Sequence, residues 1–149
     1  MIGAVPTVGR FFAPDLASPL PPLSRNQRAV FWALTAICAA SRLLARAKTL
    51  WDWDEALFCL GMREYDVSLH HPHPPGFPLF IALAKAARLA THDDFRALQS
   101  VALLSGALLF PAVFLLCREL RLPVTTACVA GSLFVFFPNV WFFGGAAFS

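Results

Sequence analysis

The run ALQSVALLSGALLFPAVFLLC, residues 97–117, decides the architecture of this chain. It carries no formal charge. At ~1.5 Å of rise per residue, a helix of this length matches the roughly 30 Å hydrocarbon thickness of a bilayer. Working outward, three more apolar stretches read as spans: 29–44, which opens Val30-Phe31-Trp32-Ala33-Leu34, then 79–90 and 124–143. The first crosses only if Arg42 and Arg46 snorkel toward the surface. The 79–90 stretch is short and carries Lys85 and Arg88, three apart on one helical face. Either it tilts into a bundle or it does not cross, and a cation at membrane depth hints at function by default. Pro111 and Pro138 are predicted to kink their helices. Asn139 beside Trp141 marks an interface.

Composition agrees with this reading. The 149 residues are 58% hydrophobic and 14% charged, with 15 Phe and 4 Trp. Their mean hydropathy is +0.62. Soluble domains carry roughly a quarter charged residues. The expected fold is therefore all-α: a polytopic transmembrane helix bundle of about four spans, multi-pass in a bacterial inner or plasma membrane. The lipid bilayer is its first partner. A net charge of +3 without a basic block argues against nucleic acid. Cys38, Cys59, Cys117 and Cys128 lack metal spacing and read as small buried hydrophobes. Residues 1–28 read as a loosely ordered tail, and 29–149 as the membrane part. The last apolar run ends without a polar flank, as in a fragment of a longer protein.

Between the first two spans lie Trp51-Asp52-Trp53-Asp54-Glu55-Ala56-Leu57-Phe58 and His70-His71-Pro72-His73-Pro74-Pro75-Gly76-Phe77-Pro78, with three carboxylates, three histidines and four prolines. Apolar spacings of three and four from Leu57 to Tyr65 predict a short amphipathic helix lying along the interface. Asp52 and Glu55 have capping-box spacing, which leaves Asp54 without a capping duty and makes it the first candidate for a general base. Glu55 stays open between cap and chemistry. His71 and His73 each precede proline and take extended geometry, so both imidazoles point one way. Phosphate or hydroxyl contact suits them better than a metal, for which the ligand count is short. Arg42, Arg46 and Lys48 either snorkel or bind a lipid phosphate, which Arg matches bidentately.

Cations in the tail, Arg10, Arg25 and Arg28, favour a cytoplasmic N-terminus and an external 51–77 loop. Strict alternation of four spans then puts the Arg118/Arg121 turn outside and Asp93/Asp94 inside, against the positive-inside tendency. If 79–90 only dips into the membrane, that parity flips.

The order span, Asp54-Glu55-Ala56-Leu57-Phe58, Tyr65, then His71-Pro72-His73-Pro74-Pro75-Gly76-Phe77-Pro78-Leu79 resembles the start of the type C integral-membrane glycosyltransferases, which include protein O-mannosyltransferases and aminoarabinose transferases. The resemblance implies an external acidic residue acting on the acceptor and a polyprenyl-phosphate-linked sugar as donor. The acceptor would be a glycan, lipid or protein. Asp54 would be the catalytic carboxylate with Glu55 beside it, while His71, His73, Arg42 and Tyr65 would line the substrate sites. No metal or other cofactor is implied. A second acidic motif expected of such enzymes does not follow Glu119. The competing readings are a transporter or lipid flippase fragment, or a non-catalytic membrane subunit. A transporter should carry carboxylates within its spans, and the clear spans here carry none.

Overall fold

The computed structural model describes residues 19–50 and 52–146. The expected tail falls outside the described residues up to position 18. Among the described residues the chain is helical and forms no strand. The helices are α1 (Arg25–Ala45), α2 (Trp53–Arg63), α3 (Pro78–Thr91), α4 (Asp94–Glu119), α5 (Val124–Val135) and α6 (Pro138–Phe143).

Helix α1 starts earlier than its apolar content suggests. Ser24 accepts from the Gln27 amide at 3.3 Å, while the Gln27 side chain accepts from the Ser24 amide at 2.9 Å. This reciprocal box satisfies two otherwise orphaned donors and draws polar Arg25, Asn26 and Gln27 into the helix. Asp93 caps α4 in the same spirit, accepting from the Arg96 amide at 2.8 Å.

Two helices, α1 and α4, are long and apolar enough to cross a membrane. The expectation of about four spans narrows to these two among the described residues. With 14 residues, α3 reaches only about 21 Å at 1.5 Å per residue. The 124–143 stretch is broken in two. Helix α5 stops at Val135, and Pro138, which has no amide proton to continue the ladder, opens α6. By contrast, α4 runs unbroken through Pro111.

Helices α1 and α4 lie antiparallel, tied at both ends. At one end Arg118 Nη2 donates to the Pro21 carbonyl at 3.2 Å; at the other Gln99 Nε2 donates to the Ala47 carbonyl at 2.6 Å. Helix α5 returns along α4, and Cys38, Phe110, Phe114, Ala127 and Val135 form the shared interior. Gly131 faces the Phe110 ring there, where an added Cβ would sit 3.0 Å from it. A second cluster joins α2 and α3 to the first turns of α4 through Phe58, Met62, Ile81, Ala84, Ala97 and Leu98. The described residues of 46–93 thus gather at the end where α1 finishes and α4 begins.

Candidate functional site

The site is built on the N-terminus of α2 and the proline loop that folds back over it. Asp52 caps α2 by accepting from the Asp54 amide at 3.0 Å. Glu55 is fully buried on the packed face of α2 with Leu57, Phe58, Gly61 and Met62. Asp54 and Glu55 occupy the first turn, where the helix dipole favours negative charge.

After α2 the chain makes a compact turn. The amides of Asp66 and His71 donate to each other's carbonyls at 2.8 and 2.9 Å, enclosing a 3₁₀ turn at Val67–Leu69. The Asp66 carboxylate accepts from the hydroxyl and amide of Ser68 at 2.6 and 2.8 Å. Those two bonds favour its ionised form and hold the carboxyl below its ordinary range. The peptide bonds His71–Pro72 and Pro74–Pro75 are cis.

Two glycines let the loop settle. A Cβ on Gly61 would lie 2.7 Å from Pro72 Cδ and 2.8 Å from the Pro72 nitrogen, so only glycine admits the loop against α2. Gly76 has φ +89°, a region where glycine alone is unstrained, and its α-carbon faces the Tyr65 hydroxyl. Phe77 then precedes Pro78, the first residue of α3.

Folding back brings His73 to Asp54. The imidazole Nδ1 lies 3.6 Å from Asp54 Oδ1, with the side chains 27% and 36% exposed. This contact is longer than a hydrogen bond. The ring is held by edge-on packing against Phe58 and Phe77, each with centroids 5.5 Å away. Its Nδ1 is buried with no hydrogen-bond partner. A half-exposed carboxylate beside an oriented imidazole can take a proton from a hydroxyl or amine and share the resulting charge.

The other sequence candidates go elsewhere. His71 does not join His73 at Asp54; its backbone is used in the Asp66 bridge, and turns at Pro72 and at Pro74 and Pro75 replace the extended strand expected to align the two rings. Tyr65 buttresses Gly76 from behind the loop. Arg42 does not snorkel. It is 1% exposed, donating from Nη1 and Nη2 to the carbonyls of Cys38 and Val135 at 3.3 and 2.9 Å. The second carbonyl is the one exposed by the break between α5 and α6.

Sequence reasoning missed the anchor of this layer. Asp94 pairs with Arg63 Nε at 2.6 Å and Arg88 Nε at 2.5 Å, linking α2, α3 and α4. Arg88 is therefore an ion-pair partner, and the signal was the Asp93-Asp94 step soon after it. Burial pushes the Cys59 thiol up to about 11, helped by the carboxylates of Asp94, Glu55 and Asp93. Among the described residues, no group of His, Cys, Asp and Glu is arranged to hold a metal.

Compared with known protein families, curated proteins and solved structures, the chain matches none.

Proposed function

We propose that this chain carries the acceptor-activating face of a membrane glycosyltransferase, which moves a sugar from a polyprenyl-phosphate donor to a hydroxyl or amine outside the bilayer. The observation that carries the reading is the Asp54–His73 pair, assembled from two separate motifs at the end of a span. Asp54 accepts the acceptor's proton as its oxygen or nitrogen bonds to the anomeric carbon. The bond from that carbon to the phosphate oxygen breaks, and polyprenyl phosphate leaves with the electron pair. His73 lies where it can orient Asp54 or meet the donor's negative charge.

The membrane part of the reading rests on α1 and α4 as an antiparallel crossing pair, with leucines such as Leu104, Leu108, Leu115 and Leu116 exposed along α4 toward lipid. We take the side of Arg25, Arg28, Arg118 and Arg121 as cytoplasmic because that leaves Asp54 outside; Arg46, Lys48, Arg63, Lys85 and Arg88 on the other side oppose this orientation by count. In this reading α3 stays with the loop, so the Arg118/Arg121 turn lies on the same side as Arg25 and Arg28, while Arg46 and Lys48 stay on the other side. Asp93 and Asp94 then join Asp54 outside.

The test is sugar transfer by the whole protein in membranes. Asp54→Asn is expected to lower turnover by roughly 10²–10⁴-fold, the usual worth of a general base, while membrane insertion is unchanged. Asp52→Asn should transfer nearly as well as the parent, because Asn caps as Asp does. Activity retained by Asp54→Asn refutes the role given to it, and an equal loss in both variants points instead to a shared carboxylate site.

A further inference from the structure

We infer that α3 is a re-entrant helix: its N-terminal half dips into one leaflet of the bilayer, and Lys85 and Arg88 rest on anionic lipid headgroups. The burial pattern around the helix leads there. At ~100° per residue, Ile81 and Ala84 mark the packed face. The opposite face is Leu79, Ala82, Leu83, Ala86, Leu89 and Ala90, all exposed, Leu79 at 72% and Leu89 at 80%. It offers no polar side chain. A continuous apolar face of this kind is one that lipid or protein covers.

Depth and charge select lipid. Gln99 of α4 donates to the Ala47 carbonyl, just past the end of α1, at 2.6 Å, so α1 finishes level with Gln99. Helix α3 runs back along α4, and Leu79, Phe80 and Leu83 share a groove with Val101 and Ser105. The start of α3 therefore lies beside turns of α4 beyond the level where α1 ends, where a crossing pair is surrounded by hydrocarbon. Leading into it, Pro72, Pro74, Pro75 and Pro78 carry no N–H, and the Gly76 amide donates to the His73 carbonyl at 3.0 Å. Backbone with few donors left to satisfy suits shallow membrane depth. Arg88 lies about 14 Å further along the axis than Leu79, at ~1.5 Å per residue. There Lys85, Arg88 and His92 line a cleft of about 460 Å³ with Met62 and Leu89, and the described lining holds no carboxylate. Asp94 pairs with Arg88 from the first turn of α4, while Lys85 is exposed. Cations along one edge of an apolar face, at the height where the helix leaves lipid, are complementary to anionic headgroups.

The inference rests on α1 and α4 crossing the bilayer, as the proposed function does, but it needs no catalytic group, and its test reads lipid contact rather than activity. Full-length protein is placed in phosphatidylcholine nanodiscs that contain a lipid with a diazirine in its acyl chain, and the adducts formed on illumination are located by peptide mass spectrometry. Adducts are expected on Leu79 and Leu83 as well as on Leu108 and Leu115 of α4. Adding phosphatidylglycerol should slow hydrogen exchange across α3, by a factor that Lys85→Gln, at an exposed position, lowers about fivefold, the usual worth of one cation at an anionic surface. Adducts on α4 without any on α3 overturn the proposal and point to protein covering that face; adducts on neither helix refute the crossing on which it stands. Exchange in α3 that ignores phosphatidylglycerol, or that Lys85→Gln leaves as slow as in the parent, also overturns it.

Discussion

The α1–α4–α5 bundle and the α2–α3 layer are held by different kinds of contact. In the bundle, Gly106, Gly131, Ala127 and Cys38 let the helices approach, aromatic rings fill the remaining space, and one buried arginine satisfies the Val135 carbonyl at a helix break. In the layer, a two-armed ion pair at Asp94, a bridged turn and an aromatic cage around His73 fix the chain. Small residues and packing suit a medium in which burying apolar area gains little over lipid. Charge pairing and capped turns suit a segment that meets water. The difference says that the segment carrying Asp54 is organised by polar contacts that single substitutions can break without disturbing the bundle.

The strongest challenge is Gly61→Ala. The new methyl group would meet the Pro72 ring and backbone rather than a flexible side-chain end, so the loop must lift from α2 and carry His73 away from Asp54. The proposed sugar transfer is expected to fall by about 100-fold, the scale of an ångström-sized misplacement of reacting groups, with helical content by circular dichroism unchanged. Full activity in this variant would detach the loop from the chemistry.

Asp94→Asn probes the anchor itself. It removes both ion pairs, but Arg63 and Arg88 are largely exposed and can turn to water, so the expected loss of stability is about 1–3 kcal/mol rather than the full cost of stranding buried charges. Hydrogen exchange should rise in α2 and α3 while the middle of α4 stays protected. Equal loosening of both regions would erase the contrast between them.

The smallest effect is a matter of pH. The Cys59 thiol is raised from 9.0 to about 11 in the folded chain, so the folded state holds its proton more tightly than the unfolded one. The stability this contributes is fully present below pH 9 and drains away as pH rises toward 11. Denaturation across that window should show the loss, and Cys59→Ala should flatten it. Alkylation of Cys59 at pH 8 should likewise be slow, since the thiolate is the reactive form.

Much of this was legible in the chain. The charge-free run at 97–117 and the start of α3 at Pro78 are local statements, and helix α4 and the N1 proline answer them; at Pro138, where a kink within one span was expected, the helix instead breaks into α5 and α6. The Ser24…Gln27 box was equally readable, though apolar periodicity alone placed the helix start four residues late, at 29 rather than 25. The 79–90 stretch was ambiguous because hydropathy does not say whether a short apolar helix crosses lipid or lies against another helix.

Sequence by itself determined the helical character and the residue types gathered between the apolar stretches, because hydropathy, periodicity and capping act over neighbours a few positions apart. That only two of the four expected spans form helices of membrane length among the described residues was decided by the structure. Tertiary structure alone decided that His73 and not His71 meets Asp54, that Arg42 turns inward, and that Arg63 and Arg88 converge on Asp94. Those outcomes join residues 19, 31 or 93 positions apart. At such separations the partner is chosen by which surfaces fit, through a Gly61 that admits a proline or a Gly106 that admits a guanidinium, and no local pattern encodes that fit.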